Sequence, residues 1–312
     1  MVFRNIGKIF VNNFMTIWKI FIYKILVIGV VVGLFCTTLS VLEKLPEFDK
    51  FLGALGDFFV TLGIVGTPTQ LMLSAEILFD SLFALIGAVA VSSPFVLVFL
   101  AFLFAVLMPY LWHLSDIATS ETLFGSMASQ TKFGFTGSFI RNLNTANSYS
   151  WLHTFVILPF NLVMFASVYG ITKLALVSEI LAIFAPVLML LVVFFVLAVR
   201  FSLFSSWSGA MTVTGANVFK SLTRSLRAVT RRFMKTFSVY LVFVFAFLAI
   251  ILITGLFGLI CVLPIFCFVI SIFGMVTFFE NSGMRYYIDV DTIIEPKKLE
   301  QTDKAYKLKA LL

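Results

Sequence analysis

Apolar residues in this chain come in long, nearly uninterrupted runs rather than at the three-to-four spacing of a helix with one wet face. A helix needs about 20 mostly apolar residues to cross the hydrocarbon core of a bilayer. Runs of that kind place six spans, at about residues 20–42, 83–112, 153–172, 180–201, 237–254 and 259–279. Uniform runs exclude a lipid-spanning barrel, whose strands alternate in polarity, so every span is a helix that satisfies its own backbone. Pro94 and Pro109, Pro159, Pro186 and Pro264 fall inside these runs and predict kinks or broken ends. Ser92 and Ser93 beside Pro94 are positioned to satisfy part of the freed backbone.

Between the first two runs, residues 43–82 are mixed. Glu43, Glu47, Asp49, Asp57, Glu76 and Asp80 interrupt stretches too apolar for a solvated loop, and Gly63, Gly66, Thr67 and Pro68 divide them. This reads as an outer amphipathic segment of two helices, on the leaflet or packed over the bundle, with a re-entrant pair as the alternative.

The composition agrees. The 312 residues are 61% hydrophobic and 12% charged, against about 25% charged in soluble domains. Cys36, Cys261 and Cys267 all lie in apolar runs and read as small buried hydrophobes. The first run follows Arg4, Lys8, Lys19 and Lys24 but has no small-residue cleavage site after it, so it is read as a retained span.

Basic residues set the orientation, because cytoplasmic loops carry an excess of Lys and Arg. With the N-terminus inside, every Lys and Arg except Lys44, Lys50 and Lys173 falls in a cytoplasmic segment or tail. An even number of spans then puts both termini in the cytoplasm. The tail, 281–312, mixes acids and bases; YYIDVDTII reads as a short strand or a segment packed on the bundle.

A unit recurs three times. Phe3-Arg4-Asn5-Ile6, Phe139 to Leu143 and Phe219 to Leu222 each open a short helical segment ahead of a pair of spans. An aromatic pair at i, i+4 follows each: Phe14 and Trp18, Trp151 and Phe155, Phe233 and Phe237. The expected fold is all-α, a polytopic bundle of three hairpins in one transmembrane domain (1–280), each hairpin preceded by an interfacial amphipathic helix. The third such helix, 217–236, sets Phe219, Leu222, Leu226, Val229, Phe233 and Phe237 against Lys220, Arg224, Arg227, Arg231 and Lys235, with Asn217 as N-cap. Opposed apolar and basic stripes suit anionic headgroups on the cytoplasmic leaflet. The segment adjoins no soluble fold and is tethered between two spans, so nucleic acid is not the expected partner; membrane lipid is, with a protein partner as the alternative.

The stretch Val199 to Phe243 resembles bacterial multi-pass membrane proteins, among them the membrane domain found ahead of glycerophosphodiester phosphodiesterases and related integral membrane proteins of Gram-positive bacteria. Arg200 and Ser202, Ser221 and Ser225, and Phe233 carry the resemblance. It implies architecture and a bacterial plasma membrane, and transfers no functional residue.

Candidate chemistry is sparse. Asn161 sits inside the third span, and with Ser92 and Ser93 makes the candidate intramembrane polar site. Arg200 ends the fourth span, where its side chain can snorkel. His113 and Asp116, at i, i+3, with Glu121 near, have the residue types of a base or a metal site but lack a second nearby His or a Cys. His153 groups with Trp151 at the membrane surface. Motifs of known enzymes, such as HExxH, Walker A and G-x-S-x-G, are absent. No catalytic, cofactor or metal residue is assigned. The expectation is a non-enzymatic scaffold or accessory subunit acting on lipid organisation or a membrane complex. A transporter or permease subunit with a midplane cavity is the alternative, and a lipid-processing enzyme comes third.

Overall fold

The structure, a computed structural model, describes residues 2–63, 66–128 and 134–284. The expected strand at YYIDVDTII lies outside them. Every regular element among the described residues is helical. Seven of the helices there are long and apolar enough to cross a membrane: Phe14–Leu42, Pro68–Ser92, Pro94–Met127, Leu143–Ala175, Glu179–Thr214, Phe233–Ile251 and Val262–Asn281.

Against six expected spans, the extra one comes from the outer segment. Its first part is α3 (Pro46–Gly63), but its second part belongs to α4 (Pro68–Ser92), so the expected boundary at residue 82 falls within a helix. Thr67 and Gln70 start α4 with a capping box: the Thr67 hydroxyl accepts from the Gln70 amide at 3.3 Å, and Gln70 Oε1 accepts from the Thr67 amide at 2.9 Å. Pro68 then occupies the first turn, where a missing N–H costs nothing.

The expected span 83–112 is likewise not one helix. Ser93 leaves helical conformation and Pro94 opens α5 (Pro94–Phe102). There the Ser93 N–H keeps its bond to the Val89 carbonyl, and the Ser93 carbonyl accepts from Val96 as α5 begins. A π-helical turn, Leu103–Leu107, precedes α6 (Met108–Met127). Pro109 cannot donate and its ring crowds the carbonyl one turn back, which a wider turn relieves. By contrast α8 (Leu143–Ala175), α9 (Glu179–Phe204) and α12 (Phe233–Asn281) continue helically through Pro159, Pro186 and Pro264.

The chain forms two compact units. One gathers Met1–Val27, Tyr110–Val156 and the stretch from Leu197 on; the other gathers Ile28–Pro109 and Ile157–Val196. In the second, α3 packs along α4, and Leu42, Phe48, Leu85 and Val89 form a buried cluster. Lys173 at the end of α8 bonds both Glu76 and Asp80 of α4, each at 2.9 Å. These two acids make α4 look like a wet segment in sequence, yet they share one cation from another helix.

Three short helices of the first unit each lead through a brief break into a long one. α1 (Val2–Asn12) leads through Asn13 into α2 (Phe14–Leu42), α7 (Phe135–Arg141) through Asn142 into α8, and α11 (Val218–Thr230) through Arg231 and Arg232 into α12. Of the expected aromatic pairs, Trp151 with Phe155 and Phe233 with Phe237 stack, at 6.0 and 5.7 Å. α12 doubles back: Tyr240 meets Phe273 at 5.6 Å and Phe243 meets Phe266 at 5.1 Å. A straight helix would hold the first pair roughly 50 Å apart at 1.5 Å per residue.

At the centre of this unit α10 (Ser206–Thr214) is buried along nearly its whole length and packs on α11 and α12. Its approach to α12 is close enough that a Cβ on Gly274 would sit 2.2 Å from the Ser205 carbonyl oxygen, the near-backbone contact that small residues permit. α10 ends at Gly215, whose φ of 61° places its N–H on the Met211 carbonyl.

The basic helix differs from expectation in two ways. Arg232 leaves helical geometry, so α11 stops at Thr230 and Lys235 belongs to α12, where it meets Glu280 at 3.3 Å. The face turned into the protein is Ser221, Ser225, Ala228 and Val229, not the whole Phe–Leu stripe. Small side chains let α11 lie close against its neighbours, and its axis must then turn before the apolar run of α12 begins. Asn217 stands at the N-cap, but its side chain makes no capping bond.

Candidate functional site

In the first unit, six long or buried helices bring polar side chains to one place. From α2, Lys24 is 2% exposed. Its ammonium donates to the Trp112 carbonyl of α6, lies 4.2 Å above the Trp112 indole, and stands 4.0 Å from Asp116 Oδ1. The adjacent Tyr23 hydroxyl donates to the Leu111 carbonyl. The charge counted in sequence as interfacial is thus enclosed by carbonyl, aromatic and carboxylate groups, the conditions a buried cation needs.

One turn of α6 carries the next link. His113 Nδ1 donates to Asp116 Oδ2 at 2.7 Å, as i, i+3 spacing allows. The His113 ring contacts the His153 ring of α8 at 3.9 Å between centroids. His153 is 5% exposed and sits against Tyr149 at 5.1 Å and Trp207 at 5.6 Å. It therefore faces inward, and not outward with Trp151 as expected; Tyr149 and His153 share a face by i, i+4 spacing, while Trp151 and Phe155 share the exposed one.

Below this, Ser120 of α6 donates to Ser208 of α10 at 2.9 Å, and Trp207 Nε1 donates to the Val218 carbonyl at 3.1 Å. Tyr240 and Ser205 bond through their hydroxyls. Arg200 lies within electrostatic reach of Asp116. Such a cluster ties α2, α6, α8, α9, α10 and α12 together by directional contacts that apolar packing does not provide.

Glu121 does not join His113 and Asp116. Its carboxylate is bound by Arg141 and Asn142 from the α7–α8 break. Among the described residues no group of three or more His, Cys, Asp or Glu side chains is placed to hold a metal ion.

The remaining candidates are dispersed. Lys220, Arg227, Arg231 and Lys235 are exposed and Arg224 is half-buried. Asn161 on α8 is half-buried, Ser93 is half-buried and Ser92 is exposed, and none of the three lines the two cavities found near α8. Those cavities, about 240 and about 510 Å³, instead lie between the start of α8 and the α10–α11 joint.

What reading the sequence missed here is chiefly Lys24 and His153. The periodicity of α8 could have shown the second; nothing local signals the first, since its partners lie a full excursion of chain away. No family model, no curated protein and no solved structure matches this chain.

Proposed function

We propose that the chain is a non-enzymatic integral membrane protein of a bacterial plasma membrane, a scaffold or accessory subunit that organises lipid or assists a membrane complex. The observation that carries this reading is α11. Ser221, Ser225, Ala228 and Val229 seat it on the protein, Phe219 is 69% exposed, and Lys220, Arg227 and Arg231 point outward. At 100° per residue the Phe219–Leu222–Leu226 flank and the basic face lie roughly 135° apart. An amphipathic helix so held offers one flank to acyl chains and the other to anionic headgroups.

Six crossings in three hairpins also fit the contacts. The chain leaves Lys24 and returns to it at Trp112, leaves His153 and returns at Trp207, leaves Lys235 and returns at Glu280. Each excursion that comes back to its starting level crosses an even number of times, which keeps α11 and both termini on one side. The Lys and Arg distribution makes that side the cytoplasm. The first excursion holds α3 and α4, which together add no net crossing.

A second reading, a transporter subunit, draws on the Lys24–Asp116–His113–His153 cluster, because ionisable groups within spans are costly and often serve function. Neither of the two cavities beside α8 is lined by any of these four residues.

The test is purification of the full chain from its native membrane in mild detergent. The scaffold reading expects a stoichiometric protein partner and co-purifying anionic lipid. The Lys220→Gln, Arg227→Gln, Arg231→Gln variant keeps the partner but loses anionic lipid by roughly fivefold per charge, about 1 kcal/mol each. A lone chain whose anionic lipid is unchanged in the variant contradicts it.

A further inference from the structure

The two cavities beside α8 share Thr145, Met211, Gly215 and Ala216, and so form one groove in the first unit. Its smaller, more enclosed part reaches Glu121 and Asn142; its larger, more open part reaches Ser148, Leu152 and Phe219. The enclosed end thus carries Glu121 and Asn142, while the open end sets Leu152 and Phe219 beside the amides of Asn144 and Asn217 and the Ser148 hydroxyl.

The lining decides the ligand's charge. No Lys or Arg lines either part, and the Glu121 carboxylate is already bound by Arg141 and Asn142. A phosphate would find no lining cation to pair with, since Arg141 is engaged by Glu121. An ammonium would find that carboxylate's charge already matched by Arg141. An uncharged group bearing several hydroxyls suits the set best, because each hydroxyl can donate to Glu121 or an amide oxygen and accept from an amide N–H, Thr145 or Ser148.

The open end decides what the hydroxyls are attached to. Phe219 at the mouth is 69% exposed, and Phe155, one turn beyond Leu152 on the same face of α8, is 54% exposed. An apolar track thus continues out of the groove along a helix long and apolar enough to span a membrane. At about 510 Å³ the larger part is within the range of small-ligand pockets.

We propose that this groove binds the uncharged, polyhydroxylated headgroup of a lipid, a glycosyl group, with its acyl chains leaving past Phe219 and along Leu152 and Phe155. The proposal rests on the lipid-organising reading above, since it needs this end of α8 at the headgroup level. It assigns a lipid class that the basic face of α11 would not select.

Native mass spectrometry of the full chain in detergent tests it, with added monoglucosyl diacylglycerol, diacylglycerol or phosphatidylglycerol. The wild-type chain retains the glycolipid in preference to diacylglycerol, whose single hydroxyl cannot meet the lining donors and acceptors together; equal retention of the two would show that the sugar is not the ligand and would overturn the proposal. Thr145→Trp and Ser148→Trp, at exposed positions where added bulk fills the groove without entering the core, each lower glycolipid retention about tenfold and leave phosphatidylglycerol unchanged. The Lys220→Gln, Arg227→Gln, Arg231→Gln variant shows the reverse pattern, so failure of the groove and failure of the basic face are separable. No retention of the glycolipid by the wild-type chain, or retention that both Trp variants leave intact, likewise overturns the proposal.

Discussion

The ammonium of Lys24 and the carboxylate of Asp116 face each other across 4.0 Å, with Lys24 2% exposed and the Asp116 side chain 24% exposed. Removing one member of such a pair strands the other charge. Asp116→Asn is expected to destabilise the protein by about 3 kcal/mol, the lower end for a buried pair because Asp116 retains some solvent. Lys24→Met combined with Asp116→Asn costs less than the two single changes added together. Thermal unfolding of the four proteins in one detergent measures this; strictly additive losses would show that the two groups do not interact.

The crossing of α12 with the α9–α10 joint predicts a steric effect. Gly274→Ala drives a Cβ to 2.2 Å from the Ser205 carbonyl oxygen, and backbone cannot yield as a side chain can. A loss of about 1–3 kcal/mol follows. Gly33→Ala on α2 has no atom within 4 Å of the new Cβ and gains about 0.5–1 kcal/mol from reduced backbone entropy. Unfolding midpoints that move in opposite directions confirm the contrast.

The capping box that starts α4 is testable on its own. Thr67→Ala removes the acceptor for the Gln70 amide and is expected to cost about 1 kcal/mol, whereas Thr67→Ser keeps it. Hydrogen exchange at the first turn of α4 should quicken in the first variant and stay near wild type in the second.

Much of this architecture is written in local pattern. Apolar runs mark the long helices, and Ser93-Pro94 marks a break that the structure contains. The spacing of His113 and Asp116 marks a bond that forms. What local pattern cannot carry is pairing across distance. Glu76 and Asp80 make α4 look too polar to be one long helix until Lys173 is found beside them. Lys24 looks like one more interfacial cation until Trp112 and Asp116 enclose it. The stripes around α11 run over a longer stretch than the helix occupies, because Arg232, which is not a helix-breaking residue type, leaves helical geometry.

On the proposed topology, three excursions of the chain leave the cytoplasmic side and return to it. Single cysteines in a background lacking native cysteine, placed at Asn144, Thr223, Glu47 and Val177, test it through labelling of intact cells and inside-out vesicles by a membrane-impermeant thiol reagent. Asn144, Thr223 and Val177 are exposed and Glu47 is half-buried. The account predicts that Asn144 and Thr223 label only in inside-out vesicles, and that Glu47 and Val177 label only in intact cells. Labelling of Thr223 and Val177 from the same side would contradict it.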